Sequence, residues 1–294
     1  MSGPRTARRR RFEGLLTGPS FLWLILLFVL PSVIVALLAF RPADPYGGIG
    51  RGWTLEAVRS LFGRPTLVLL WRTLWISAVT TVACLALAVP TGYAIARAPR
   101  KSRRAWLTLI IVPFWTSFLI RVFAWRSLLH PEGPLKALLV ALGLVDARAS
   151  LLYNAGAVVL VNVYALLPFA ILPVYAAAEK FDFRLLEAAR DLGTGRLAAF
   201  RRVFLPGIGR GLLTAVLVVF IPSLGSYVVP DLVGGPGSEM LGNKIAQRVF
   251  VDRNLPLAAA LALLLVLAVV VPLAAVLVLQ GRRERGAALL GEGP

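Results

Sequence analysis

The sequence of 294 residues is poor in charge. Only 16% of its residues are charged, against about 25% in typical soluble proteins. By contrast, 58% are hydrophobic and the mean hydropathy is +0.79. A soluble domain of this length needs more charge to cover its surface, so the composition predicts either one oversized core or several membrane spans.

Cysteine and histidine occur once each, as Cys84 and His130. One cysteine excludes a disulfide within the chain and a thiolate metal cluster, and one histidine excludes a histidine metal site. A phosphate-binding glycine loop of the form G-x-x-x-x-G-K-S/T is also missing from the sequence, as is any nucleophile–base pattern. We therefore expect a non-enzymatic chain that binds no cofactor, metal or ATP itself.

Long uncharged runs decide between one core and several membrane spans. A helix needs about 20 apolar residues to cross a hydrocarbon layer. Five uncharged runs reach this length. A sixth, shorter run continues past Arg121, whose side chain must reach the headgroups or face a polar cavity. The sequence thus predicts an all-α integral membrane protein of about six spans. The runs are 18–40, 73–96, 105–125, 149–178, 211–230 and 254–281.

The distribution of basic residues predicts the topology. The net charge is +18, but the basic residues are divided among short connections and form no continuous basic domain, which argues against nucleic-acid binding. One set of alternate connections, together with both tails, carries 20 Lys and Arg, and the other set carries 11. The positive-inside rule places the richer side in the cytoplasm. Both termini are then cytoplasmic, with a basic tail at 1–17, a membrane domain at 18–280 and a second tail at 281–294.

The fourth and fifth spans contain interior prolines, Pro168 and Pro173 in one and Pro222 in the other. Interior prolines free backbone carbonyls, which in lipid need partners or a water-filled cavity. Two readings remain open: ordinary helix packing through small and hydroxyl residues, or a substrate path lined by these spans. The residues predicted for such a path or its gate are Trp125, Asn162, Tyr164, Ser223, Tyr227, Asp231 and Glu239.

The cytoplasmic connection 179–210 predicts two short helices joined by a bend. Asp182 suits the start of the first helix, over 183–192, and Gly193 suits its left-handed end. Thr194 is expected to cap the second helix, and Pro206 to stop it. The first helix carries an apolar stripe, which predicts packing either against its own spans or into a soluble partner. The stripe comprises Leu185, Leu186, Ala188, Ala189 and Leu192.

This connection resembles the EAA motif of permease subunits of ATP-binding-cassette (ABC) importers. Glu187-Ala188-Ala189 is followed after three residues by Gly193, and later by Val203 and Leu205-Pro206. The family pattern has Ile where this chain has Val203, a conservative difference. The resemblance implies that the connection couples the pore to a separate ATPase. Glu187 would contact the ATPase, Ala188 and Ala189 would allow close approach, and Gly193 would supply the bend.

Four further segments resemble the spermidine/putrescine permeases, at 112–121, 164–169, 185–193 and 221–236. The last reads Ile-Pro-Ser-Leu-Gly-Ser-Tyr-Val-Val-Pro-Asp-Leu-Val-Gly-Gly-Pro. The resemblance implies a type I (MetI-like) importer fold in a bacterial inner membrane. It also implies a second permease, two ATPase subunits that bind ATP and Mg²⁺, and a periplasmic binding protein. The substrate it implies is a polyamine.

Alternative substrates and one other class of protein remain. Related permeases carry iron, sulfate, phosphonates or opines. A secondary transporter requires ionisable residues within its spans, whereas here no carboxylate lies mid-span and only Arg72 and Arg121 lie near span ends. The acidic residues near the external side, such as Asp231, have two readings: solvated loop charges, or a contribution to a gate for cations.

Overall fold

The computed structural model describes residues 18–289, which form helices and turns. Within these residues no β-strand occurs beyond a single isolated bridge between Ala43 and Ile49. The described chain divides into two compact units, one over Leu67–Lys244 and one that joins residues 18–66 to 245–289. The predicted tail at 1–17 lies outside the described residues, as does the end of the predicted tail at 281–294.

Helices dominate because the long apolar runs satisfy their backbone hydrogen bonds internally, as lipid requires. The first half contains α1 (Gly18–Leu38), α2 (Glu56–Ser60), α3 (Arg64–Arg97), α4 (Arg100–Ile111), α5 (Phe118–Leu129) and α6 (Pro134–Ala141). The second half contains α7 (Ala155–Glu179), α8 (Arg184–Asp191), α9 (Arg196–Gly207), α10 (Gly209–Leu224), α11 (Val228–Val233), α12 (Leu241–Phe250) and α13 (Leu255–Leu289).

Three helices, α1, α3 and α7, are long and apolar enough to cross a membrane. Two pairs of bent helices bring the count to five if each pair is taken as one span. The sixth predicted span corresponds to α13, whose segment Leu255–Val271 is an apolar helix. The all-α membrane architecture predicted from the run lengths is therefore confirmed, although two of the six spans are not single helices.

The third span is broken, which corrects the prediction of one run over 105–125. A 3₁₀ turn, Val112–Trp115, ends the first piece, and Thr116 and Ser117 are extended before α5 begins. The two helical segments meet at 90°. Pro113 lacks the backbone N–H that a continuous helix would use here. The Thr116 hydroxyl donates to the Pro113 carbonyl at 2.7 Å.

The fifth span is also discontinuous, and its breaks do not lie at its proline. Pro222 lies inside α10, which ends at Leu224, and residues 225–227 separate it from α11. At its other end, α10 meets α9 at 73° around Ile208. The break before α11 thus begins at Gly225, a residue with little helical preference, three residues after Pro222.

The centre of the Leu67–Lys244 unit is the packing of α7 against α10. These helices approach closely because glycine lies at the contact: a methyl group on Gly211 would meet the Ala177 Cβ and would lie 2.9 Å from the Pro173 carbonyl. Gly92 of α3 also lies against α7: a methyl group on it would lie 2.8 Å from Val174. Small residues at helix contacts are the usual solution in membranes, where lipid supplies no hydrophobic drive for association.

Gly211→Ala should therefore destabilise the protein, whereas Gly209→Ala should not. Overpacking typically costs about 1–3 kcal/mol, and the backbone at Pro173 cannot yield easily. Gly209 begins the same helix and has no atom within 4 Å of the added methyl group, so it is the matched control. Thermal unfolding in detergent measures the difference, and equal midpoints for the two variants would contradict this packing.

Candidate functional site

The predicted bend between the two helices of the connection 179–210 is present at Gly193. The Asp182 side chain accepts from the Arg184 amide at 3.0 Å, which starts α8 as expected. At the other end Gly193 has φ +84°. Its amide donates to the Arg190 carbonyl at 2.9 Å, and the Thr194 amide donates to the Ala189 carbonyl at 3.0 Å. This pair of bonds is the Schellman motif, which needs a left-handed residue at this position.

The second helix of this connection, α9, is longer than predicted. It begins at Arg196 without a side-chain cap and continues through Pro206 to Gly207. A π turn, Phe200–Phe204, ends two residues before the proline. Pro206 therefore does not stop α9 at the position predicted from the sequence.

Five aromatic rings join this connection to the membrane helices. The Phe204 ring centroid lies 5.0 Å from that of Tyr93 on α3, 5.3 Å from Phe181, 6.2 Å from Phe183 and 5.0 Å from Phe200. Tyr93 also meets Phe183 and Phe200 edge to face. Rings at these separations gain energy beyond their area of burial. We call these five residues the aromatic cluster; it links the end of α3, the start of α8 and the π turn of α9.

Two arginines reinforce the same region. Arg97 donates to the Tyr93 hydroxyl at 2.8 Å, and its guanidinium lies 5.7 Å from the Phe183 ring centroid. Arg103 on α4 donates to Glu179 at 2.6 Å and to the Ala96 carbonyl at 2.7 Å. The Arg103–Glu179 pair is partly exposed, so we expect its role to lie more in fixing the ends of α3 and α7 than in stability.

The apolar stripe of α8 divides between two environments. Leu186 is buried and Ala189 partly buried against the core, so the stripe does pack against the chain's own helices. Leu185 and Leu192, however, are 53% and 87% exposed, and Leu197 on α9 is 70% exposed. The second predicted environment, contact with a soluble partner, thus has an apolar surface available to it.

A pocket of about 370 Å³ lies beside this surface. Glu187 contributes the one carboxylate among its lining residues, beside three arginines and aromatic rings of the cluster. Its charged lining suits polar contacts with a partner. The residues that line it are Tyr93, Arg97, Phe183, Leu186, Glu187, Arg190, Arg196, Ala199 and Phe200.

A second pocket, of about 410 Å³, lies where the third and fifth spans are broken. Phe114 and Arg121 line it from the third span, Asn162 from α7, and Ser226 and Tyr227 from the break after α10. Asn162 is buried, and its side-chain oxygen accepts from the Ser226 hydroxyl at 3.3 Å. Helix breaks and polar side chains therefore coincide, as expected of a path for a polar solute.

A family model described as binding-protein-dependent transport system inner membrane component matches residues 88–285. This match covers more than half of the chain, including the bend at Gly193 and both pockets. The chain belongs to this family. It is thus a membrane permease of the ABC transporter type.

Relatives of this permease match most of its length. The spermidine/putrescine transport system permease protein PotB of Haemophilus influenzae is 33% identical over 253 residues, which is 86% of this chain and 88% of the relative. PotB of Escherichia coli is 34% identical over 238 residues, 81% of this chain and 86% of the relative. The inner membrane ABC transporter permease protein YdcU of Escherichia coli is 32% identical over 233 residues, 75% and 74% of the two chains.

Solved structures agree on the fold. A bacterial ABC transporter involved in the import of the acidic polysaccharide alginate matches with a TM-score of 0.67 at 17% identity, covering 96% of this chain and 98% of that chain. At this identity the match shows the fold alone. It confirms the predicted importer-permease fold.

The structure gathers some of the permease's predicted path residues and separates others. Asn162 and Tyr227 line one pocket. Tyr164 and Trp125 meet edge to face at 5.3 Å but are not among its lining residues. Ser223, which is fully buried, and Asp231, which is exposed on α11, do not line this pocket either. Glu239 lies 3.9 Å from Lys244. A role for these residues in transport remains a prediction.

The coupling residues predicted from the motif differ in exposure. Glu187, Ala188, Gly193 and Pro206 are exposed, whereas Ala189 and Leu205 are partly buried against the core. The aromatic cluster and Arg121 were not among the predicted site residues. Four phenylalanines within 24 positions (181, 183, 200 and 204) were visible in the sequence, but nothing in their spacing indicated that Tyr93 joins them.

Proposed function

We propose that this chain is one of two permease subunits of a binding-protein-dependent ABC importer for polyamines such as spermidine and putrescine. The similarity to PotB proteins over 81–86% of the chain carries the substrate proposal. A chain named spermidine/putrescine transport system permease protein PotC is also similar, 31% identical over 118 residues. A second, related permease would complete the pore.

In this proposal residues 179–210 form the coupling loop, and their exposed surface meets an ATPase subunit. The exposed leucines and Glu187 support this role. ATP and Mg²⁺ are bound by two separate ATPase subunits, and this chain carries no cofactor. A periplasmic binding protein delivers the solute to the opposite face; one of the alginate transporter structures is in complex with a substrate-bound periplasmic protein.

The placement in the membrane follows from the charge asymmetry. The chain lies in the bacterial inner membrane with the coupling loop and both tails in the cytoplasm, since that side carries 20 of the Lys and Arg residues. The membrane domain comprises residues 18–280, between tails at 1–17 and 281–294. Closure of the ATPases would then move the coupling loop and reorient the spans.

The test is binding-protein-dependent ATP hydrolysis and uptake in proteoliposomes. The chain is co-expressed with the second permease and the ATPase, and spermidine, putrescine and sulfate are compared. We expect stimulation by the two polyamines and none by sulfate. Stimulation by another solute alone would keep the importer and discard the polyamine. Uptake by this chain without an ATPase would contradict the importer itself.

A further inference from the structure

Arg121 is the one charged residue that lines the 410 Å³ pocket at the two helix breaks. Its Nε and Nη1 atoms are buried and have no hydrogen-bond partner in the described part of the chain. None of the ion pairs formed within residues 18–289 includes it. Arg121 as a whole is partly buried, and burying two of its donor atoms without an acceptor or a compensating charge is costly, so this arrangement indicates that a partner group is supplied from elsewhere.

Phe114 compensates Arg121 only in part. The guanidinium carbon lies 4.2 Å from the ring centroid, close enough for a cation–π interaction. A ring that covers the face of a guanidinium leaves the N–H groups in its plane without acceptors. The aromatic contact therefore stabilises the charge at this position, but it does not supply acceptors for the N–H groups of Arg121.

Asn162 adds a second unpaired donor to the same pocket. Its side chain is 2% exposed. Its oxygen is engaged by Ser226, whereas its Nδ2 has no partner. Buried amide groups are seldom left unpaired, because each lost bond costs the desolvation of the group. The pocket thus presents unpaired donors from α5 and α7 and no carboxylate among its lining residues.

We propose that this pocket receives a carboxylate, which pairs with Arg121 and accepts from Asn162. The planar fork of a guanidinium matches the two oxygens of a carboxylate, whereas an ammonium group would be repelled by it. This inference goes beyond the proposed function, because neither spermidine nor putrescine has a carboxylate. The group comes either from an Asp or Glu of the second permease or from a carboxylate-bearing solute.

The two sources give the pocket different roles. A carboxylate of the second permease would neutralise Arg121 in a path for cations, and would join the two permeases at the point where the third and fifth spans are broken. A carboxylate of the solute would make the pocket a specificity site. Arg121 and Asn162 belong to different helices, so either source bridges α5 and α7.

The functional test compares Arg121→Gln with Arg126→Gln in the assembled complex. Arg126 lies on the same helix and does not line the pocket, so its variant removes an equal charge. If the carboxylate belongs to the second permease, we expect Arg121→Gln to lower spermidine uptake by about tenfold or more, because it leaves a buried carboxylate unpaired. If it belongs to the solute, we expect the loss only for a carboxylate-bearing solute. Arg121→Lys should lie between this variant and wild type, and Arg126→Gln should stay within about twofold of wild type. Immunoblots of the membrane fraction confirm that each variant inserts.

Two arms separate the sources. In the Arg121→Glu background, each Asp and Glu in the membrane segments of the second permease is changed to Lys; recovery of spermidine uptake by one of them assigns the carboxylate to that subunit. In the second arm, uptake of 4-aminobutyrate is compared with uptake of spermidine. If wild type and Arg126→Gln take up 4-aminobutyrate and Arg121→Gln does not, the carboxylate belongs to the solute. Uptake in Arg121→Gln equal to wild type for both solutes would overturn the proposal.

A structural measurement decides the question if the variants fail to insert. A cryo-electron microscopy map of the wild-type complex in lipid nanodiscs should show a carboxylate oxygen within about 3.2 Å of an Arg121 nitrogen, without solute or with 4-aminobutyrate added. Only water, lipid phosphate or aromatic carbon around Arg121 in both maps would overturn the proposal. Failure of wild type to take up spermidine would instead contradict the polyamine function and leave this map as the test of the pocket.

Discussion

Gly193→Val should abolish uptake and its coupling to ATP hydrolysis while the chain remains in the membrane. Gly193 has φ +84°, where a side chain with a β-carbon costs about 1–2 kcal/mol and a β-branched one is a pronounced outlier. Nothing lies within 4 Å of an added Cβ, so the penalty comes from the backbone alone. The chain relieves it by losing the Schellman bonds that set the angle between α8 and α9.

The matched control is Gly195→Val, two residues away in the same bend. Gly195 also has open space for a Cβ, but its φ is −61° with ψ 153°, a conformation that valine adopts readily. Gly193→Asn is a second control, since asparagine tolerates the left-handed region better. We expect uptake to be highest in Gly195→Val, lower in Gly193→Asn and lowest in Gly193→Val. Normal uptake and polyamine-stimulated ATPase activity in Gly193→Val would show that the bend is not needed.

The bend at Gly193 could be predicted because helix ends are local. Asp182 and Gly193 stand at the two ends of an amphipathic segment, and capping depends on residues within one turn. The six apolar runs were equally readable, since length and charge are properties of each run by itself.

The breaks in the third and fifth spans were not predictable in the same way. Prolines identify where a helix is weakened, but Pro168, Pro173 and Pro222 all remain inside helices in the structure. The breaks lie instead at Thr116–Ser117 and after Gly225, where an alternative set of hydrogen bonds and side-chain packing is available. Which weak point opens depends on neighbours distant in sequence, such as the contact of Ser226 with Asn162.

The aromatic cluster depends on distant neighbours to an even greater degree. Tyr93 and Phe204 are separated by more than 100 positions, and their contact forms only when α3 and α9 come together in the folded chain. The consequence bears on coupling: one face of the coupling loop is fixed to the membrane helices by rings, while the other leaves leucines exposed. We infer that a displacement applied at the exposed face is passed to α3 through the cluster.

Phe204→Ala tests this transmission, and it should reduce both the stability of the protein and the coupling of ATP hydrolysis to uptake. Phe204 is fully buried and its ring meets four others. Truncating a buried phenylalanine typically costs about 3–5 kcal/mol, which lowers the midpoint of thermal unfolding by roughly 10 °C. In complexes that remain assembled, less solute should be carried for each ATP hydrolysed, because α8 and α9 are no longer held against α3.

Two comparisons separate coupling from general destabilisation. Phe250→Ala removes a ring that is 77% exposed and should leave both properties unchanged. Gly211→Ala destabilises the packing of α7 against α10 away from the cluster, and should lower the unfolding midpoint without lowering the solute carried per ATP. If Phe204→Ala and Gly211→Ala lowered that ratio equally at matched stability, the cluster would have no part in coupling beyond holding the fold together. A lower ratio in Phe204→Ala alone would assign the transmission of force to the rings, because only that variant separates the coupling loop from α3.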